Sequence, residues 1–414
     1  MTGPVVAGTP ARTPDSLRND PGGCVVAKKK KSGSYTAGVD IGGTKIAVGI
    51  VSPDGALVDS ARKSTPVRDP DAVLEVIVEL IDGFDGYEIE AVGIGVAGLV
   101  DSSRSRVIFA PNLGWVEEPL RQQVERAVGL PTVIENDANA AAWGEFRFGA
   151  GRGLSDLIMV TVGTGIGGGI VLGGALQRGA NGVGAEFGHL RLVPDGRLCG
   201  CGRHGCWEQY ASGNALVRTA RGLASERRPE AGVLLGLGDG TPEGVQGPHV
   251  TEAAQRGDEV AIEAFEIVGA WLARGMVEVA TLLDPDAFVI GGGVVDAGDL
   301  LLGPTKREYA TQLVARAQRP MTEIVPAALG NLAGIVGAAD LARDHGPAPE
   351  VVRPAAARSA PTTKSSKAAE KEAAVAAAAG SAAKVAKAVE SSTASAKSAA
   401  KKKSPAVARK TPKK

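Results

Sequence analysis

The same local plan occurs twice in this chain: two β-rich segments separated by a short glycine-rich stretch. In the first copy, Asp40–Lys45 (DIGGTK) divides strands predicted at 36–41 and 45–52. In the second copy, Thr161–Gly169 (TVGTGIGGG) divides strands predicted at 156–162 and 168–173. Glycines allow a tight turn in which successive backbone N–H groups face an anion with no side chain in the way. The repetition predicts two related α/β lobes with a phosphate-bearing ligand between them.

Helices and strands alternate in the rest of the central region. A third early strand at 56–64 makes the opening an antiparallel meander, because the connections between its strands are short. The further predicted strands are 90–97, 132–135 and 287–290. The predicted helices are 70–82, 116–128, 137–148, 208–226, 258–282 and 331–344. We expect an N-terminal lobe at 34–148, completed by a helix at 331–345, and a C-terminal lobe at 149–330.

The two ends of the chain are basic and the middle is acidic, although Lys and Arg balance Asp and Glu at 46 each. Residues 346–414 contain 15 Lys and Arg against 4 Asp and Glu, and residues 1–33 contain 6 against 2. Neither end has a hydrophobic period, so we expect a disordered leader and a disordered tail. A flexible basic tail attracts polyanions such as DNA, RNA or polyphosphate. A purely solubilising tail, or one that contacts the acidic middle, is an open alternative.

The sequence contains no run of about 18 apolar residues and no signal-peptide pattern at its start. We therefore expect a cytoplasmic protein without a membrane span. Thiols stay reduced in the cytoplasm, so the trio Cys199, Cys201 and Cys206 is expected to hold a metal ion rather than to form disulfides.

The glycine loops predict how a nucleotide is held. Asp40 is placed to hold Mg²⁺ through water, while Thr44 and Lys45 can donate to phosphate oxygens. A third cluster after strand 287–290 lets the backbone approach an adenosine. The backbone contacts expected for ATP are at Gly42, Gly43, Gly163, Thr164, Gly165, Gly291 and Gly292. A Rossmann interpretation is rejected, because the stretch after Gly163 leads into another strand rather than a helix.

These features together resemble a known family. The paired glycine loops resemble the two-lobed actin/hexokinase-like ATPase (ribonuclease H-like) α/β fold, with nucleotide and sugar in the cleft. The loop Asp40–Lys45, the segment Glu135–Asn139 (ENDAN) and the cluster Cys199–Cys206 are similar to the ROK family of bacterial sugar kinases and repressors. The stretch Leu198–Gly213 is particularly similar to actinobacterial-type ATP-dependent glucokinases. The resemblance covers residues 35–345 and implies phosphoryl transfer from ATP to the 6-hydroxyl of glucose.

The resemblance places the catalytic base at Asp137. From the residues alone, Asp137 follows a short apolar strand and opens a helix, which suits a carboxylate facing the cleft or a helix N-cap equally well. Asn136 beside it can exchange hydrogen bonds with ring hydroxyls. Asn112 is a second such candidate, although an Asn after Pro111 suits a turn as well.

In the resembling family, the residues matching Glu186 and His189 bind sugar hydroxyls, and the histidine also binds zinc. On one helical turn these two side chains would face the same way. Glu208 would add a carboxylate near the anomeric end of the sugar. One imidazole and three thiolates complete a tetrahedral Zn²⁺ site, which predicts a structural metal with the ligands His189, Cys199, Cys201 and Cys206. His204 lies inside the cysteine loop and is the alternative imidazole.

Two other functions fit parts of this pattern. A sugar-responsive repressor of the same family would need an N-terminal helix-turn-helix domain, and the 33 polar residues before the first strand are too few for one. An N-acylhexosamine kinase would use the same base and loops on a different sugar. Polyphosphate is less expected as donor than ATP, because the first loop has the ATP-type pattern. We also expect a homodimer or homotetramer.

Overall fold

The computed structural model describes residues 31–344, and most of the predicted leader and all of the predicted tail lie outside this range. The strands are β1 (Lys31–Ile41), β2 (Lys45–Val51), β3 (Leu57–Ser64), β4 (Tyr87–Val96), β5 (Leu99–Val100), β6 (Val107–Ala110), β7 (Trp115–Glu118), β8 (Thr132–Asn136), β9 (Leu157–Val162), β10 (Ile166–Leu172), β11 (Ala175–Gln177), β12 (Ala287–Gly291) and β13 (Glu323–Pro326). The α-helices are α1 (Pro70–Asp82), α2 (Leu120–Val128), α3 (Asp137–Phe148), α4 (Glu208–Ala211), α5 (Gly213–Glu226), α6 (Gly232–Leu237), α7 (Gly247–Gln255), α8 (Glu259–Leu283), α9 (Asp299–Gln312) and α10 (Ala333–Asp344).

Two five-stranded sheets have the same topology. The first has the order β3-β2-β1-β4-β8 and the second has the order β11-β10-β9-β12-β13. The strands β1, β2 and β3 form an antiparallel meander, and β4 and β8 run parallel to β1. In the second sheet β9, β10 and β11 form the meander, and β12 and β13 run parallel to β9. The predicted repeat and the two-lobed α/β fold are therefore confirmed. The first sheet belongs to the N-terminal lobe and the second to the C-terminal lobe.

The strand registers place both glycine loops at equivalent positions. Ile41 pairs with Ile46 across the first loop, and Val162 pairs with Ile166 across the second. Each loop is thus the hairpin between the first two strands of its sheet. Because the two sheets share one topology, the two loops are equivalent elements of the two lobes.

Several predicted boundaries differ from the structure. The helix predicted at 116–128 begins at Leu120, because residues 115–118 form β7 and pair with β6 in a small third sheet. The helix predicted at 208–226 is divided at Ser212, whose hydroxyl caps α5 by accepting from the N–H of Ala215 at 3.2 Å. The small sheet β5-β6-β7, the short strands β11 and β13, and the helices α6, α7 and α9 were not predicted from the sequence.

Each lobe has its own apolar core. The core of the C-terminal lobe surrounds the long helix α8 and includes the fully buried Trp207 and Phe288. The core of the N-terminal lobe lies between the first sheet and the helices α1 and α2. Among the helices of residues 31–344, none has both the length and the apolar character needed to cross a bilayer.

Helices α3 and α10 connect the two sheets. Helix α10 packs on β1 and β4, whereas α3 packs on β9 and β10, and the two helices pack on each other. Their backbones touch, because a Cβ atom on Gly337 would lie 1.8 Å from the carbonyl oxygen of Ala140. A Cβ atom on Gly144 would likewise lie 2.4 Å from the carbonyl oxygen of Ala333. Only glycine permits so close a crossing at these two positions.

We expect Gly337→Ala to lower the free energy of unfolding by about 3 kcal/mol, because the added methyl group forces the two helix backbones apart. Gly334→Ala on the same helix is the control. A Cβ atom there meets nothing within 4 Å, so its effect should be neutral or stabilising by up to about 1 kcal/mol. Urea unfolding of both variants measures the difference. Equal stabilities would contradict the close crossing.

Candidate active site

The first glycine loop connects β1 to β2. The N–H of Gly42 donates to the carbonyl oxygen of Lys45 at 3.0 Å and closes the turn. The side chains of Thr44 and Lys45 are exposed at the tip of the loop. Asp40 is partly buried near the end of β1, and burial raises the pKa of Asp40 while the charge of Lys45 opposes that rise. A partly buried carboxylate beside exposed donors is suited to binding a cation together with an anion.

The second glycine loop meets two other elements. The carbonyl oxygen of Gly163 accepts from the N–H of Gly213, the first residue of α5, at 2.8 Å. Gly292 has φ +85°, and a Cβ atom on it would lie 2.5 Å from the carbonyl oxygen of Val162. The structure therefore brings together the loop 163–165, the start of α5 and the cluster 291–292.

A cavity of about 880 Å³ opens beside the second loop. Asn112 lines it from the N-terminal lobe, while Thr164, Gly165 and Glu208 line it from the C-terminal lobe. One face of α5 completes the wall with Asn214, Val217, Arg218 and Arg221. Sequence reasoning missed these α5 residues, although their spacing places them on one side of a helix.

Asp137 is the first residue of α3 and is not its N-cap. The N-cap is Asn136, whose Oδ1 accepts from the N–H of Asn139 at 3.0 Å. The Oδ1 of Asp137 accepts from the N–H of Ala138 at 2.9 Å and from Nδ2 of Asn136 at 3.1 Å. The N-cap alternative for Asp137 is therefore wrong, because the capping geometry falls on the preceding residue.

Asp137 lies in an acidic, desolvated environment. Burial, together with the negative charges of Asp40 and Glu186, raises the pKa of Asp137 to about 6. Asp40 belongs to the first sheet, whereas Glu186 belongs to the loop after β11, so carboxylates from both lobes converge on Asp137. The group is ionised at neutral pH and more basic than an exposed carboxylate.

The predicted sugar-binding asparagines each contact an element next to Asp40 or Asp137. Nδ2 of Asn136 also donates to the carbonyl oxygen of Gly98 at 3.1 Å, so its carboxamide holds the end of β8 against the turn between β4 and β5. Asn112 lies against the first glycine loop, where a Cβ atom on Gly43 would be 3.4 Å from its own Cβ.

Glu186, His189 and Glu208 surround the cysteine loop. Glu186 immediately precedes a 3₁₀ turn that includes His189. Burial raises the pKa of Glu186, the charge of His189 opposes the rise, and the charge of Glu208 adds to it. Oε1 of Glu208 lies 2.9 Å from Sγ of Cys199, and its Oε2 would lie 2.5 Å from a Cβ atom on Gly165. Glu208 thus spans from the cysteine loop to the second glycine loop.

The four predicted metal ligands form one cluster. One ligand atom from each of His189, Cys199, Cys201 and Cys206 lies within 4.8 Å of the others. Nδ1 of His189 is 3.7 Å from Sγ of Cys199, and the Sγ atoms of Cys201 and Cys206 are 3.6 Å apart. His204 points elsewhere, with Nδ1 2.9 Å from the carbonyl oxygen of Gly196. The structure therefore favours His189 over His204 as the imidazole of the cluster.

The chain is similar in sequence and in fold to known proteins. A sequence profile of the ROK family matches residues 36–345. The chain is 52% identical over 313 residues to the glucokinase of Streptomyces coelicolor, which covers 75% of this chain and 98% of that protein. It is 36% identical over 311 residues to the glucokinase of Thermotoga maritima, covering 74% of this chain and 97% of that one. A similar solved structure is the crystal structure of a ROK family glucokinase from Streptomyces griseus in complex with glucose and AMPPNP. It superposes with a TM-score of 0.70 at 52% sequence identity, and the match covers 75% of this chain and all of that one.

Proposed function

Because this chain belongs to the ROK family, we propose that its interlobe site transfers the γ-phosphoryl group of ATP to the 6-hydroxyl of D-glucose. The chain is an ATP-dependent glucokinase, like the Streptomyces proteins to which it is 52% identical. The observation that carries the residue assignments is the convergence of Asp137 with Asp40 and Glu186. These carboxylates supply the proton acceptor and the cation site that phosphoryl transfer needs.

Asp137 is the proposed general base. A sugar hydroxyl is a poor nucleophile, and a positioned carboxylate assists by accepting its proton as phosphoryl transfer proceeds. The two contacts that orient Asp137 both go to Oδ1. We therefore assign the acceptance of the hydroxyl proton to Oδ2.

The glycine loops are the proposed nucleotide site. Backbone N–H groups of the loops 42–45 and 163–165 would hold the phosphates, and the cluster 291–292 would contact the adenosine. Asp40 is the proposed partner of Mg²⁺, and its burial fits this role because a bound cation stabilises its ionised form. Mg²⁺ bound with ATP neutralises charge on the β- and γ-phosphates. Thr44 and Lys45 would add donors at the tip of the first loop.

The sugar is proposed to lie between Asp137 and the cysteine loop. Its hydroxyls would contact Asn112, Asn136, Glu186, His189 and Glu208. Carboxylates bind hydroxyl donors strongly, since each hydrogen bond to a charged group contributes about 1.5–3 kcal/mol. Glu186 fits this role, because its pKa is raised by burial and its ionised form therefore gains from donors.

Zn²⁺ is the metal we propose for the His189 and cysteine cluster. Tetrahedral zinc with Zn–S bonds of about 2.3 Å places its sulfur ligands about 3.8 Å apart. The Cys201–Cys206 separation of 3.6 Å fits this geometry. Four protein ligands leave no open position, so the metal would be structural and would link the 3₁₀ turn of His189 to Glu208 on α4.

We propose that the protein acts in the cytoplasm as an oligomer. Three cysteines that bind a metal ion as thiolates must stay reduced, and the cytoplasm is a reducing compartment. A homodimer or homotetramer is the assembly we propose. The polyanion-binding role of the tail concerns residues outside the described range.

A coupled assay over glucose, mannose, N-acetylglucosamine and N-acetylmannosamine, with ATP and with polyphosphate, tests the function. We expect the highest kcat/KM for glucose with ATP, because the chain is 52% identical to a glucokinase across nearly the whole of that protein. A higher kcat/KM for an N-acyl sugar would support the N-acylhexosamine kinase alternative instead. Preference for polyphosphate would contradict ATP as the donor.

Asp137→Asn should still bind glucose and should lose at least about 100-fold in kcat, because the proton acceptor is gone while the shape is kept. In the wild type, kcat/KM should fall as the pH drops through about 6, since protonated Asp137 cannot accept a proton. Asp69→Asn makes the same change at the exposed N-cap of α1 and is the control. Retention of more than about a tenth of wild-type kcat in Asp137→Asn would refute the assignment.

The protein purified without chelator should contain about one zinc per chain, and Cys201→Ser with Cys206→Ser should lose both the metal and thermal stability. His204→Gln, outside the cluster, should keep the zinc. Metal analysis and thermal unfolding measure these outcomes. Zinc-free wild-type protein, or full activity in the double variant, would leave the cluster without the proposed role.

A further inference from the structure

A buried carboxylate two residues before the proposed base forms ion pairs with arginines from two distant parts of the chain. Glu135 is 1% exposed and ends the buried part of β8. Its Oε2 lies 2.9 Å from Nε of Arg104 and 2.7 Å from Nε of Arg178. Arg104 belongs to the connection between β5 and β6 in the N-terminal lobe. Arg178 follows β11 of the second sheet, so this pair crosses from one lobe to the other.

Glu135 also contacts the residues on both sides of Asp137. Its Oε1 accepts from the backbone N–H of Asn136 at 2.9 Å and from Nδ2 of Asn139 at 3.2 Å. Asn136 caps α3 and donates to Asp137. The Glu135 carboxylate therefore helps to hold the start of α3 and, through Asn136, the Asp137 carboxylate.

Arg178 connects this carboxylate to the loop that carries Glu186. Its guanidinium donates to the carbonyl oxygens of Asp101 at 2.9 Å and Ser102 at 3.1 Å. Its own carbonyl oxygen accepts from the N–H of Gly184 at 2.9 Å, two residues before Glu186. One residue thus contacts the N-terminal lobe through its side chain and the proposed sugar loop through its backbone.

The loop 178–184 has little freedom to lie elsewhere. Gly182 has φ +83°, and a Cβ atom on it would lie 2.5 Å from the carbonyl oxygen of Val100. Ala185, directly before Glu186, has φ +69°, a backbone conformation that is rare for a residue with a side chain. Tertiary contacts must stabilise this local conformation. Those made by Arg178 are anchored in the N-terminal lobe.

We propose that Arg178 is a positioning residue that, through Glu135, sets the placement of the sugar loop 184–189 relative to the base Asp137. This inference rests on the proposed glucokinase function. Arg178 itself is not a catalytic residue, because its contacts are with Glu135 and with backbone carbonyl groups rather than with the reacting atoms.

Two arginines on one carboxylate provide a matched pair of variants. Arg178→Gln and Arg104→Gln each remove one nearly buried guanidinium from Glu135 and leave the other to neutralise it. Both proteins should therefore fold, since no buried carboxylate is left without a cation. The two arginines differ in their other contacts. Arg104 and its partner Glu135 both belong to the N-terminal lobe, whereas Arg178 also contacts the sugar loop through its backbone.

In Arg178→Gln, we expect KM for glucose to rise and kcat to fall by about tenfold or more each, because a small displacement of positioned groups is costly. KM for ATP should change less than about twofold, and the zinc content should stay at the wild-type level. In Arg104→Gln, KM for glucose should stay within about threefold of the wild type, with a comparable loss of thermal stability. Arg178→Lys should be intermediate, because a single ammonium can pair with Glu135 but cannot make the three contacts of the guanidinium.

Equal effects of Arg178→Gln and Arg104→Gln on KM for glucose would overturn the proposal and would indicate a shared structural role. An unchanged KM for glucose in Arg178→Gln would also overturn it. A wild-type protein that prefers another hexose would contradict the proposed substrate alone, and the same comparison with that hexose would still distinguish the two arginines. Calorimetric hexose affinities, measured without ATP, separate the binding effect from the effect on turnover.

Discussion

The backbone contact between α3 and α10 is the constraint on which the rest of the structure depends. Gly337 and Gly144 let the two helices touch, and each helix packs on the sheet of a different lobe. The buried carboxylate of Glu145 on α3 strengthens this connection by accepting from the N–H groups of Ala328 and Leu329, which precede α10. Trp143 on α3 donates to Asp340 on α10 at 2.9 Å. Because Asp137 is the first residue of α3, this crossing places the proposed base at the cleft.

The proposed site concentrates negative charge that is partly removed from water, which is unfavourable without a ligand. Asp40, Asp137 and Glu186 have raised pKa values, so their ionisation costs folding free energy at neutral pH. A cation on Asp40 and hydroxyl donors on Glu186 would offset that cost. The arrangement is consistent with a site built for ligands rather than for the stability of the free protein.

Two groups of residues, the His189 and cysteine cluster and the Glu135 ion pairs, hold the segments that carry the proposed sugar-binding residues. The His189 and cysteine cluster links the 3₁₀ turn to Glu208, whose carboxylate reaches the second glycine loop. The Glu135 carboxylate with its two arginines holds the start of the same loop against the N-terminal lobe. The residues proposed to bind sugar thus lie between a metal site in one lobe and an ion pair that spans both.

The sequence by itself determined the features that depend on neighbouring residues: the two glycine loops, most long strands and helices, and the cysteine spacing. These follow from local backbone freedom and side-chain periodicity. The tertiary structure decided what depends on distant residues. It moved the N-cap from Asp137 to Asn136, and it divided a predicted helix at Ser212, where the start of α5 meets the second glycine loop. It also joined Glu135 to Arg104 and Arg178, which no local pattern connects, because such contacts exist only after the lobes have packed together.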